Sequence, residues 1–119
     1  MATRRELERR LFELQCEICK AVSHPLRLEI VDLLSRRGRS AAELIEALET
    51  SKANVSKHVN QLVQAGVVEA SREGRAVRYR LTHPEIHEAC SIMRSILYRR
   101  LKQGGAIASV IDISRRRRP

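Results

Sequence analysis

Apolar positions recur along this chain with two different periods, and the change of period divides it into parts. From Arg4 to Val22, Leu7, Leu11, Leu14 and Ile18 form one helical stripe, with Phe12, Cys16 and Cys19 on its flank. Ser23-His24-Pro25 ends that helix and opens another, because proline suits the first helical position and disfavours helix in the residue before it. The second helix buries Leu26, Ile30, Leu33 and Leu34 and stops at Gly38. Ser40 to Glu43 reads as a capping box that opens a short helix with Leu44, Ile45 and Leu48 inward. After Glu49 and Thr50, Ser51 caps a fourth helix whose Val55, Val59, Leu62 and Val63 form an apolar face and which Gly66 stops. Two short helices joined so tightly form a helix-turn-helix.

Beyond Gly66 the period becomes alternating. Val68, Ala70, Val77, Tyr79 and Leu81 alternate with polar residues, and Glu73-Gly74 supplies a two-residue hairpin turn. Arg72 and Arg75 flank the turn, with Arg78 and Arg80 on the hairpin's outward side. A helix-turn-helix followed by a basic hairpin is a winged helix. Arginines at a sheet edge also guard against strand pairing, and the two roles are compatible. Thr82-His83-Pro84 opens a last helix to about Leu101, with Ile86, Ala89, Cys90, Met93, Ile96, Leu97 and Leu101 apolar. That stripe is wider than a small core needs. Either it closes a monomer or, as the matching stripe on the first helix favours, the two end helices build a two-fold dimer. The fold expected is mainly α with a small β-hairpin: a winged helix-turn-helix over residues 1–103 that dimerises through its terminal helices. Residues 104–119, with Arg115 to Arg118, form a flexible basic tail.

The fourth helix carries the candidate chemistry. Its outward side holds Ala53, Asn54, Lys57, Asn60, Gln61 and Gln64, and no Asp or Glu occurs from Ser51 to Gly66. An ordinary solvated face mixes signs. Amides and a lysine suit base edges and phosphates, so this reads as a recognition helix. Its candidate DNA contacts are Ser51, Lys52, Ala53, Asn54, Ser56, Lys57, His58, Asn60 and Gln61. Asn54, Lys57 and Gln61 are expected in the major groove, and Arg72, Arg75 and Arg78 on flanking phosphates or in the minor groove. His58, between the two faces, suits a hydrogen bond to backbone or phosphate; His24 and His83 precede prolines and read as caps.

The net charge of +9 over 119 residues favours a polyanionic partner. No apolar run approaches bilayer length, and the N-terminus lacks the apolar core of a signal peptide, so the expected location is cytoplasmic without membrane association. With no tryptophan and one phenylalanine, stacking on single strands is disfavoured and double-stranded DNA is the expected partner. No nucleophile–base pair, phosphate loop or carboxylate dyad suggests an enzyme. The alternative class is a winged helix used for protein interaction.

The run from Lys20 to Leu34, the run from Ser51 to Gly66 and the wing from Val67 to Leu81 together resemble the ArsR/SmtB family of bacterial repressors. The resemblance covers about Leu11 to Leu101. It implies a homodimeric winged-helix repressor, not a catalyst, that leaves its operator on binding a metal or being oxidised. The family's cysteine motif on the first helix of the helix-turn-helix is absent, since Ala41 to Leu48 has no Cys or His. Its zinc-sensing Asp and His pattern on the last helix is absent too: His83 and His87 stand near the start, but the pattern is not completed a few turns on. Glu49 stands where the family's turn usually has glycine, and a left-handed backbone there would cost roughly 1 kcal/mol.

Cys16, Cys19 and Cys90 remain as sensor candidates. In a reducing compartment they are thiols, ligands or redox groups rather than structural disulfides. Three thiolates suit a soft trigonal ion such as arsenite. Cys16 and Cys19, one helical turn apart with Cβ atoms about 5–6 Å apart, can chelate one ion but are too far apart for an unstrained disulfide. Redox chemistry would pair one of them with Cys90. The competing reading is that all three pack as small hydrophobes, giving a repressor with no cysteine-based sensing. No other cofactor is implied.

Overall fold

A computed structural model describes residues 1–104. It contains α1 (Arg4–Val22), α2 (Pro25–Arg36), β1 (Arg39–Ser40), α3 (Ala41–Leu48), α4 (Lys52–Gln64), β2 (Val68–Glu73), β3 (Ala76–Leu81) and α5 (Glu85–Gln103). The expected basic tail lies outside the described residues, apart from Gly104. Contacts divide the chain into one unit over Met1–His87 and a second from Glu88 onward.

Local chemistry sets the helix ends of the first unit. Thr3 with Glu6, and Ser40 with Glu43, make reciprocal capping boxes. The His24 imidazole accepts the Leu26 N–H at 3.1 Å, so this histidine is the N-cap of α2, with Pro25 at the first helical position. His83 caps differently: its backbone carbonyl accepts the Ile86 N–H, while its Nδ1 lies 3.1 Å from the Thr82 hydroxyl. Glu49 closes α3 in the left-handed region, at φ 52° and ψ 44°, which lets α4 follow after a turn of three residues.

The core gathers Ile30, Val31 and Leu34 of α2, Leu44 of α3, Val55, Val59 and Leu62 of α4, and Val67 and Val68 at the start of the wing. Leu44 and Leu62 are fully buried where the helix-turn-helix pair faces α2. Leu44→Ala is expected to destabilise the first unit by about 3 kcal/mol through lost transfer energy and a residual cavity, read from urea denaturation followed by circular dichroism.

The wing differs from expectation in three respects. A third strand joins it: β1 pairs antiparallel with β3, Arg39 opposite Tyr79 and Ser40 opposite Arg78, giving the sheet order β1-β3-β2. The hairpin turn is Gly74-Arg75, one residue later than Glu73-Gly74, because Glu73 pairs with Ala76. Gly74 has φ 64°, the sign that primed turns demand at their first central position. Ala70 is exposed rather than inward. Thr82 closes the hairpin base, its hydroxyl donating to the Gly66 carbonyl at 2.7 Å.

The terminal helices contribute little to this core. Of α1, only Val22 is buried, and α5 has no buried residue. Leu7, Leu11 and Phe12 on α1, and Ile92, Met93, Leu97 and Tyr98 on α5, are each more than half exposed.

Candidate nucleic-acid interface

The candidate site is built on α4, and its N-cap sets the orientation. Ser51 Oγ accepts the Asn54 N–H at 3.1 Å. Val55, Val59 and Leu62 anchor the inner face of the helix in the core. A rigid inner face fixes the outer one, where Ser51, Lys52, Ala53, Ser56, Lys57, Asn60, Gln61 and Gln64 are exposed. The start of α4 carries no acidic residue in its first turn, so its N-terminal N–H groups and dipole present positive potential there.

Two sequence candidates on α4 depart from this arrangement. Asn54 is half-buried, and its Nδ2 donates to Thr50 Oγ1 at 3.0 Å, tying the side chain back to the turn. His58 is buried, at 4% exposure, and its Nδ1 accepts the Arg27 Nε–H at 3.1 Å. It therefore does not belong with the outward contacts: the helical angle that put it between the faces carries it under α2 instead. Burial, reinforced by His24, Arg27 and Lys57, holds its imidazole below the ordinary histidine pKa.

On the wing, Arg72 and Arg75 are exposed and form no ion pair among the described residues. Arg78 behaves differently. Opposite Ser40 in the sheet, it is half-buried, donates from Nη2 to the Gly38 carbonyl at 3.2 Å, and has Nη1 4.0 Å from the Glu43 carboxylate. The β1 strand, invisible in the hydropathy pattern, turns this arginine from an outward phosphate contact into a brace between the wing and α3. Glu43 is the other end of the brace. The Arg37 hydrogen bond at 2.8 Å, then the Ser40 N–H, holds its carboxyl below the usual carboxylate range. Arg80 remains exposed, 3.6 Å from Glu73.

Sequence reasoning missed Arg27. Its Nε meets His58 and its Nη1 donates to the Ala21 carbonyl at 2.9 Å, so one guanidinium joins α1, α2 and α4. An arginine two residues after a helix-opening proline gives no sign of this.

The thiols are not gathered within one unit. Cys16 and Cys19 are exposed on α1, in the first unit, and Cys90 is half-buried on α5, in the second. No cluster of three or more metal-ligating side chains occurs among the described residues, and no described helix is long and apolar enough to cross a membrane.

Comparison with known proteins agrees with this geometry. A helix-turn-helix domain family matches residues 22–70, which span α2 to the start of β2. The uncharacterised HTH-type transcriptional regulator Rv0081 of Mycobacterium tuberculosis is 38% identical over 100 residues, covering 82% of this chain and 86% of its own. Its crystal structure superposes with a TM-score of 0.71, at 36% identity over 81% of this chain and 97% of that one. The HTH-type transcriptional repressor SmtB of the same organism is 38% identical over 73 residues, covering 61% of this chain and 54% of its own. Members of this group are DNA-binding transcriptional regulators, not enzymes. By its helix-turn-helix, its three-stranded wing and these relatives, the chain belongs to the ArsR/SmtB-type winged-helix transcriptional repressors.

Proposed function

We propose that the protein is a homodimeric, sequence-specific repressor of double-stranded DNA that a thiol-reactive or soft-metal(loid) signal releases from its operator. The observation that carries the DNA reading is the exposed, acid-free face of α4 together with the exposed Arg72 and Arg75 of the wing. Lys57, Asn60 and Gln61 read base edges in the major groove, Ser51, Lys52 and Ser56 contact phosphates around the start of α4, and the two wing arginines grip the flanking backbone. A protein-interaction module gives no reason for a sixteen-residue segment (51–66) without a single acid.

Homodimerism is supported by the exposed apolar stripes of α1 and α5. A two-fold dimer places two recognition helices about one DNA turn apart, 34–36 Å, and binds a palindromic site. The domain then comprises residues 1–103, with both end helices serving as the dimer seam.

The signal enters through α1 and α5, the helices that carry the thiols. Cys16 and Cys19 are exposed on α1 and take no part in this chain's own core. One helical turn apart, they offer two thiolates to a soft ion such as arsenite, with the third from Cys90 or from an exogenous thiol. Linking the thiols shifts the seam and thereby the spacing of the recognition helices. The test is binding to DNA from the protein's own promoter, with arsenite, cadmium, zinc, peroxide and polysulfide added in turn. Cys16→Ser, Cys19→Ser or Cys90→Ser should leave basal binding intact and abolish a release of about a hundredfold, or about 2.7 kcal/mol of coupling. If all three variants respond as the parent does, the thiols are packing residues.

A further inference from the structure

His58 is the one buried polar side chain among the described residues, and it sits on the inner side of the recognition helix. Its Nδ1 accepts from Arg27 Nε at 3.1 Å, and the same guanidinium donates from Nη1 to the Ala21 carbonyl near the end of α1 at 2.9 Å. The His24 ring lies against the His58 ring, with centroids 4.2 Å apart and planes inclined by 36°. His24 in turn accepts the Leu26 N–H at Nδ1. Each ring therefore offers Nδ1 to an N–H donor, and for His58 that requires a neutral imidazole with its proton on Nε2. We infer that the Arg27–His58 bridge, with the His24 ring packed against it, is a positioning latch that holds the recognition helix in its DNA-binding orientation only while the His58 imidazole is neutral, so that mild acid loosens the operator complex. This rests on the DNA-binding reading above.

The surroundings give the latch its sign. The titratable groups facing His58 are His24 and Arg27 from α2 and Lys57 from α4. Glu17 and Lys20 of α1 join Arg27 in lining an adjacent cleft of about 330 Å³ with Gln61 and Gln64. A proton on His58 removes Arg27's acceptor and adds a second cation beside it in a buried place. Burial already holds the folded-state pKa below the ordinary value. The unfolded chain thus takes the proton first: the latch's stability is complete above about pH 6.5 and is lost as pH falls from there toward the folded pKa. Charge alone predicts the opposite trend, since protonated histidines make the chain more attractive to DNA. A loss of affinity in acid is therefore diagnostic.

Asparagine offers a test that keeps the hydrogen bond and removes the titration. In His58→Asn the amide oxygen replaces Nδ1 as the acceptor for Arg27. The full-length parent should lose about tenfold in affinity for its own promoter DNA between about pH 7.5 and about pH 5.5, whereas His58→Asn should stay within about twofold. A flat parent profile, or a variant that falls as steeply as the parent, would overturn the latch. Nitrogen-15 NMR of the parent's histidine side chains requires neither variant nor DNA. At neutral pH His58 should carry its proton on Nε2, and an Nδ1–H tautomer there would overturn the assignment regardless of how the DNA assay turns out.

Discussion

Leu97→Asp is expected to convert the proposed homodimer into a monomer. Leu97 is 54% exposed and Met93 58%, on an α5 that buries none of its residues within the chain. Ile92 and Tyr98 extend this apolar surface, and Leu7, Leu11 and Phe12 provide another on α1. A seam of standard size buries about 800 Å² per partner, and each fully buried leucine or phenylalanine contributes about 1.5–3 kcal/mol. A carboxylate placed there must be desolvated without a partner, or the seam must open. Opening costs less. Sedimentation velocity at micromolar concentration should show the monomer, with the circular dichroism of the first unit retained because its core does not include Leu97. Operator affinity should fall with it, since each half-site is then bound alone. An unchanged dimer would remove α5 from the seam.

The second large effect concerns how affinity divides between the recognition helix and the wing. Lys57→Ala, Asn60→Ala and Gln61→Ala should each cost about 1–3 kcal/mol on operator DNA and much less on scrambled DNA, relaxing specificity at one base position apiece. Arg72→Ala and Arg75→Ala should weaken both DNAs alike and reduce the salt slope by about one each. Asn54→Ala should act mainly through the turn, because its amide already donates to Thr50. Arg78→Ala should act mainly through stability, because its guanidinium is engaged by Gly38 and Glu43. Equal losses on operator and scrambled DNA for Lys57, Asn60 and Gln61 variants alike would take those residues out of the readout.

What was legible in the sequence were the features written in local chemistry. The Ser40–Glu43 box, the Ser51 cap and the His24-Pro25 start each satisfy backbone groups within a few residues, so pattern alone located α2, α3 and α4 to within a residue or two. The left-handed Glu49 came instead from the family resemblance, since it stands where the family's turn usually has glycine. Non-local pairing was not legible. Two residues, Arg39 and Ser40, are too few to display a strand period, yet their pairing with β3 completes the sheet and turns Arg78 inward. The hairpin turn moved by one residue, and each cross-strand partner by two, because the strand pairing, not the turn dipeptide, fixed it. His58 was misplaced since a helical wheel gives an angle but not the depth of what covers it. Only the approach of Arg27, thirty-one residues earlier, makes that buried ring intelligible.

The most direct measurement is a salt titration of binding to the protein's own promoter fragment and to a scrambled duplex of equal length. Both affinities should fall steeply and roughly linearly on logarithmic axes as salt rises, with the promoter bound about a thousandfold or more tightly throughout. Equal affinity for the two duplexes, or binding indifferent to salt, would contradict a sequence-specific repressor built on the α4 face and the wing.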